Sequence, residues 1–279
     1  MIVAGKTSRS SFSRYPGSVS VKVTLSGHEY FEYGNARVKL EPGHYLILNT
    51  GRPYATSIDS GTPSETISLS FDPCFARQIA ADSAASDQHL LDDPQGSRVS
   101  DREIGFFEKL YPHDEHVSPI VMDIVAALKT NTQPRLWYQQ QMVKLYLGMM
   151  ESHKIETGKV ESLKFQSKAT REELFRRLMM ARDFIHSNLE HDISLEDIAQ
   201  VACLSLYHFL RVFKSVFGMP PNKYLTQARL DKASGLLKNP DFPISEVAVA
   251  TGYSNHSAFS RAFNRRFGHS PAAFRRQFQ

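Results

Sequence analysis

The sequence predicts an α+β protein of more than one domain, with a small antiparallel β-barrel or sandwich toward its N-terminal end and an all-helical domain toward its C-terminal end. Three observations carry that prediction. The first third of the chain alternates apolar and polar residues in short runs separated by Gly- and Pro-containing turns. Beyond Phe71 the apolar spacing changes to the three-and-four rhythm of helices. Near the end, "GYSNHSAFSRAFNRRFGHSPAAF" (252–274) echoes "CLSLYHFLRVFKSVFGMPPNKY" (203–224): both carry Phe-x-x-x-Phe-x-x-x-Phe-Gly, then a Pro, then an aromatic.

Strands are expected over 19–25, 37–40, 45–49 and 65–71, with turns at Ser26-Gly27, Tyr33-Gly34-Asn35, Glu41-Pro42-Gly43, Gly51-Arg52-Pro53 and Ser60-Gly61. Short strands punctuated in this way suit a small barrel or sandwich. The small, polar stretch 81–97 reads as a surface loop, and 118–129 and 134–153 read as helices. In the second helix Tyr138, Met142, Leu145 and Met149 form one apolar seam, while Leu136, Val143 and Leu147 add a second apolar face. A helix apolar on two sides has two faces to bury, either both within its own chain or one against a second molecule, and the second case makes the seam a candidate dimerisation surface. Residues 156–173 are polar with little periodicity. The expected boundaries are therefore an N-terminal domain over 1–159 with a helical segment at 101–154, a linker at 160–171, and a helical domain over 172–279.

The echo resolves when each copy is placed on a helix at roughly 100° per residue. Phe209, Phe213 and Phe217 fall on one stripe, as do Phe259, Phe263 and Phe267. Arg211 and Arg261 occupy the same phase in each copy, turned away from the stripe. Gly218 and Gly268 suit left-handed C-terminal caps. Pro221 and Pro271 suit the first turn of a following helix. A short helix precedes each copy, "SLEDIAQVA" (194–202) with Ser194 as N-cap and "ISEVAVAT" (244–251), in which Ile198-Ala199 matches Val247-Ala248. Short helix, tight turn, and second helix with a buried stripe and an outward arginine make a helix-turn-helix, whose second helix enters the DNA major groove. Two such units are predicted, at 194–217 and 244–267. A helical repeat array would require three or more units.

Charge supports a polyanionic partner. Residues 168–279 carry a net +6 and residues 1–167 a net −2, within a chain of +4. Five arginines and no acid lie between Arg261 and Arg276. No apolar run approaches the roughly 20 residues of a membrane span, and the opening residues lack the apolar core of a secretory signal. Two cysteines, Cys74 and Cys203, provide no disulfide framework and suit a reducing cytoplasm.

Residues 172–279 resemble the DNA-binding domain of the AraC/XylS family of bacterial transcription regulators. The resemblance runs through "SLEDIAQVACLSLYHFLRVFKSVFGMPPNKYLTQARLDKASGLL", "PISEVAVATGYSNHSAFSRAFNRRFGHSPAAFRR" and a joining helix, about 222–238, carrying Arg229, Ala233, Leu236 and Leu237. Two features depart from a plain duplication: Cys203 stands where the second turn has Gly252, and the second turn is one residue longer. The stretch "ARVKLEPGHYLILNTGRPYATSI" (36–58), with "VKVTLSG" (21–27), is similar to the family's cupin-like sensor barrel.

The resemblance implies a cytoplasmic, homodimeric, sequence-specific regulator that binds promoter DNA, an activator contacting RNA polymerase under a small-molecule effector held in the barrel. The outward faces nominate Tyr207, His208, Arg211 and Lys214 on the first recognition helix for base reading. Asn255, His256, Ser257, Arg261, Asn264 and Arg265 play that part on the second, and Lys223, Arg275 and Arg276 suit phosphates. The strands that line the pocket in related sugar sensors nominate Thr24 and Arg37 for the effector. Thr24 alternates away from Val21 and Val23, so only one of these sets faces the barrel interior, and the sequence leaves open which. Metal-dependent cupins use a His-x-His pair with a further carboxylate and histidine; here His28 and His44 are isolated, and His113 and His116 share a loop, so neither metal nor cofactor is expected. The alternatives are a ligand-free dimerisation barrel and a cupin-type enzyme, the latter without any nucleophile–base pair in the sequence.

Overall fold

The computed structural model describes residues 1–34, 36–85, 104–130, 133–161 and 167–278. The chain divides into two compact units, Met1–Arg176 and Arg177–Gln279.

The first unit is built on a nearly closed antiparallel β-barrel. Its strands are β1 (Ile2–Pro16), β2 (Ser20–Ser26), β3 (Glu29–Tyr33), β4 (Ala36–Leu40), β5 (His44–Leu48), β6 (Pro53–Ser70) and β7 (Leu110–Pro112). They run in the order β4-β3-β6-β2-β5-β7, with β1 paired along β6. The long β6 strand organises the sheet: one edge holds β1, while the other is shared by β3, near Tyr54–Ser57, and β2, near Glu65–Ser70. Three helices accompany the sheet: α1 (Pro73–Ala84), α2 (Ser118–Thr130) and α3 (Arg135–Glu161).

Alternation along the strands separates two cores. Val21, Val23, Tyr45, Ile47, Ile67 and Leu69 point outward against Ala76 and Ile79 of α1, Val121 and Ile124 of α2, and Leu145 and Met149 of α3. Phe31, Tyr33, Val38, Leu40, Leu46, Leu48 and Tyr54 pack together on the opposite, interior side. β5 is apolar without interruption from Tyr45 to Leu48 because both of its faces are covered. Asp114 ties the helices to the sheet. It accepts the backbone N–H of His116 and Val117 at the start of α2, the Tyr45 hydroxyl of β5 at 2.6 Å and the Ser152 hydroxyl of α3 at 2.8 Å.

Several expectations need correction here. β1 and β3 were not anticipated; β1 is rich in Ser and Arg and becomes a strand because β6 offers it a ladder along most of its length. Ser60-Gly61 lies inside β6 and does not end it: the register with β1 jumps from Thr7–Ser64 to Arg9–Asp59, so residues 60–63 form an irregularity in a continuing strand. The expected loop at 81–97 begins inside α1, which reaches Ala84; residues 86–97 lie outside those described. The segment 101–154, expected to be helical, contains β7, which closes onto β5. α3 continues to Glu161 and the next helix starts at Lys168, so both ends of the expected 160–171 linker are helical, and residues 162–166 lie outside those described.

The second unit is helical. α4 (Lys168–Ser187) carries the point of division, and then come α5 (Leu195–Val201), α6 (Leu206–Phe217), α7 (Pro221–Leu236), α8 (Ile244–Ala250), α9 (His256–Phe267) and α10 (Pro271–Arg275), closed by a 3₁₀ turn at Arg276–Phe278. Phe209, Phe213, Phe259 and Phe263 are fully buried; truncating any one to Ala would cost about 3–5 kcal/mol. Ala248 sits in the second cluster with Val247, Leu230, Leu237 and the two phenylalanines of α9, where its small side chain lets α8 approach.

Candidate nucleic-acid interface and internal cavity

Each helix-turn-helix is set by local chemistry. Ser194 caps α5 in a reciprocal capping box, its hydroxyl accepting the Asp197 N–H at 3.0 Å while the Asp197 carboxylate accepts the Ser194 N–H at 2.9 Å. Gly218 and Gly268 end α6 and α9 at φ 71° and 75°. Pro221 and Pro271 open α7 and α10.

The two turns share their hydrogen bonds. Cys203 N–H donates to the Gln200 carbonyl and Leu204 N–H to that of Ala199; Gly252 donates to Val249 and Tyr253 to Ala248 in the same pattern. Cys203 therefore has φ 52°, the one positive φ outside glycine among the described residues, against 76° at Gly252. A left-handed non-glycine residue carries strain of about 1–2 kcal/mol, and the first turn tolerates it. α6 starts after Ser205 and α9 after Asn255, which places the extra residue of the second turn ahead of its recognition helix.

Three contacts fix the helices of this unit to one another. Arg229 of α7 donates to the Leu189 carbonyl at 2.9 Å and the His191 carbonyl at 2.7 Å. Arg266 of α9 holds Asp231 of α7 through two nitrogens, at 3.0 and 2.7 Å. Arg177 of α4 donates to the carbonyl of Cys203 at 3.2 Å.

The faces opposite the phenylalanine stripes are open. On α6, Tyr207, Arg211 and Lys214 are exposed and His208 is half-buried; on α9, His256, Ser257, Arg261, Asn264 and Arg265 are exposed. Asn255 is exposed as well, but its side-chain carbonyl already accepts the N–H groups of Ser257 and Ala258, leaving its amide NH₂ as the outward group. Among the residues expected at phosphates, Lys223 and Arg276 are exposed. Arg275 is not free for that role: it is half-buried and donates to the Phe242 carbonyl in the loop before α8.

In the barrel, the open question about β2 is settled by its neighbours. Val21 and Val23 pack toward the helices, so Ser20, Lys22 and Thr24 face inward. They stand opposite Ser70, Ser68 and Thr66 on β6. Lys22, Thr66, Ser68 and Ser70 of this row border a cavity of about 590 Å³ also lined by Glu29, Phe31, Tyr54, Thr56 and Ile58. Lys22 is 8% exposed; its Nζ donates to Ser68 Oγ at 2.6 Å and lies 5.2 Å from the Tyr54 ring centre. Burial holds its ammonium well below the usual lysine range, at about 8, with Glu29 pulling in the other direction. Burial likewise raises the Glu29 carboxyl, opposed by a hydrogen bond with Thr56 and by the Lys22 charge.

The two residues nominated for an effector fare differently. Thr24 is buried on the inward face, with a hydroxyl that finds no hydrogen-bond partner among the described residues, but it is not part of the cavity lining. Arg37 is outside altogether: its side chain is exposed, 3.6 Å from Glu32 and stacked over Tyr30. Lys22 and Glu29 were missed; the alternation of "SVKVTLS" marks Lys22 as sharing a face with Thr24, but nothing in the sequence says that face is interior.

The α3 seam also changes role. Met142, Leu145 and Met149 are buried in the barrel–helix core, with Tyr138 packed at its edge. Leu136 and Leu147, on the other face, are exposed. Among the described residues no group of three His, Cys, Asp or Glu could hold a metal ion, and no helix is long and apolar enough to cross a membrane.

A barrel with a cavity lined by polar and apolar side chains, followed in the chain by two helix-turn-helix units, defines a two-part architecture. The comparisons agree with it at both ends: residues 14–136 match the AraC-like ligand binding domain and residues 198–277 a helix-turn-helix domain. The chain belongs to the AraC/XylS family of transcriptional regulators. It is similar to the probable transcriptional regulator LumQ of Photobacterium leiognathi, 35% identical over 97 residues, 35% of this chain and 39% of that one. It is also similar to the lactose operon transcription activator of Staphylococcus xylosus, 34% identical over 98 residues, 35% of each chain. In both cases the match spans well under two thirds of the relative's length. Among solved structures, an AraC-type transcriptional regulator from Chromobacterium violaceum is 30% identical over 37% of this chain and 91% of its own, with a TM-score of 0.35.

Proposed function

We propose that this protein is a sequence-specific DNA-binding transcription regulator whose barrel takes up a small-molecule effector. One observation carries the reading. Arg211 on α6 and Arg261 on α9 are exposed at the same helical phase, opposite stripes in which Phe209, Phe213, Phe259 and Phe263 are fully buried, on two helices joined by the same α7. Packing has no use for such a pair, whereas paired donors on successive recognition helices suit guanine edges in successive major grooves. Tyr207, His208 and Lys214, with His256, Ser257, Asn264, Arg265 and the Asn255 amide, complete the reading faces. Lys223 and Arg276 contact phosphates. The DNA-binding part occupies 172–279.

The test is a selection of bound sequences by the full chain and by Arg211→Ala and Arg261→Ala. Each substitution is expected to cost about 1–3 kcal/mol and to relax base preference in one block only, the blocks lying about one helical turn apart. Uniform weakening without change of either block would reduce both arginines to phosphate clamps.

Activation is supported by the activator among the relatives, and direct contact with RNA polymerase and a cytoplasmic location belong to the same proposal. A homodimer is assigned to the exposed face of α3, around Leu136 and Leu147, in place of the buried seam. The cavity with its buried lysine favours an effector chamber over a ligand-free dimerisation barrel.

A further inference from the structure

Resting on the reading of the barrel as an effector chamber, we infer that the cavity binds a small amphipathic zwitterion, an apolar α-amino acid or close analogue, with its carboxylate at Lys22 and its ammonium at Glu29. The two groups line one cavity and carry opposite charge, yet they do not form an ion pair. The Lys22 ammonium has a neutral hydroxyl, Ser68, and the face of Tyr54 as its partners. Glu29 has Thr56 and feels Lys22 only through space. A lysine this deeply buried ordinarily requires a counter-charge in contact.

The protein by itself leaves both ions under-compensated, which is why burial pushes the lysine down and the glutamate up. A ligand bringing an anion to one and a cation to the other relieves both at once. A simple carboxylate would satisfy Lys22 and press its charge against Glu29; a simple amine would do the reverse. A neutral polyol would leave both defects in place. Phe31, Tyr54 and Ile58 supply the apolar wall for the ligand's body, and about 590 Å³ lies within the ordinary range of small-ligand sites.

The test is isothermal titration calorimetry on the full chain with three probes of one skeleton: L-phenylalanine, 3-phenylpropanoate, which lacks the ammonium, and 2-phenylethylamine, which lacks the carboxylate. L-leucine serves as a second zwitterion and D-glucose as a neutral polyol. One or both amino acids are expected to bind, and the two single-charge analogues to bind about tenfold or more weakly than phenylalanine. In Lys22→Met the advantage of phenylalanine over phenylethylamine should vanish; in Glu29→Gln, its advantage over phenylpropanoate. The wild-type comparison decides the matter even if a variant fails to fold. Equal binding of phenylpropanoate, preference for glucose, or no binding of either amino acid overturns the inference. DNA selection with the same preparation reports separately on the regulator reading, so bound DNA with no amino-acid binding removes the ligand class alone.

Discussion

A β-carbon on Gly252 would stand 2.4 Å from the carbonyl oxygen of Leu189, the same oxygen that accepts a hydrogen bond from Arg229. The second helix-turn-helix is thus seated against the segment that precedes the first, through a glycine that no other residue can replace without displacing backbone. Its counterpart Cys203 takes the same left-handed conformation with a side chain in the open.

These two turns should respond oppositely to exchange. Gly252→Ala adds both the clash and an unfavourable φ of 76° and is expected to cost about 2 kcal/mol or more. Cys203→Gly removes left-handed strain at the expense of unfolded-state entropy, so it should be neutral or stabilising by up to about 1 kcal/mol. Urea denaturation of both variants measures this; equal destabilisation would mean that the first turn also depends on its side chain.

Lys22 makes stability depend on alkaline pH. Its folded pKa of about 8 lies below the ordinary 10.5, so between those values the unfolded chain holds a proton that the folded chain has released, and stability gains from this group as pH rises. Below pH 8 the penalty for burying the ammonium is fully present. Lys22→Met should therefore be more stable than wild type at pH 7, by on the order of 3 kcal/mol, with the gap closing toward pH 10.5. A gap that does not change with pH would show that Lys22 keeps its ordinary pKa.

The two faces of α3 should separate cleanly. Leu145 is fully buried, and Leu145→Asp should unfold or aggregate the protein. Leu147 is 38% exposed, and Leu147→Asp should leave a folded chain that light scattering reports as a monomer. A folded dimer in the second case would move the interface elsewhere.

Arg275 and Arg276 are neighbours with different duties. Arg276→Ala should weaken all DNA sequences alike and flatten the slope of log affinity against log salt by about 0.9. Arg275→Ala loses the bond to the Phe242 carbonyl and should lower the melting temperature with a smaller change in that slope. An identical salt effect in both would restore Arg275 to the phosphate set.

The sequence by itself determined the features that depend on neighbours within a turn or two. Phenylalanines every four residues, a glycine closing each recognition helix and a proline opening the next are local instructions, and both helix-turn-helix units lie where those instructions place them, down to the extra residue before α9. Tertiary structure alone decided what each apolar or polar face meets. The period of β2 shows that Lys22 and Thr24 share a side and Val21 and Val23 the other, but only the helices packed on the valines make the lysine's side the interior. The seam of α3 is visible as a stripe, yet a stripe is the same whether its partner is a sheet of the same chain or a second molecule. β1 has almost no pattern of its own and exists because β6, distant in the chain but paired with it from Ile2–Leu69 to Pro16–Pro53, supplies the missing hydrogen bonds.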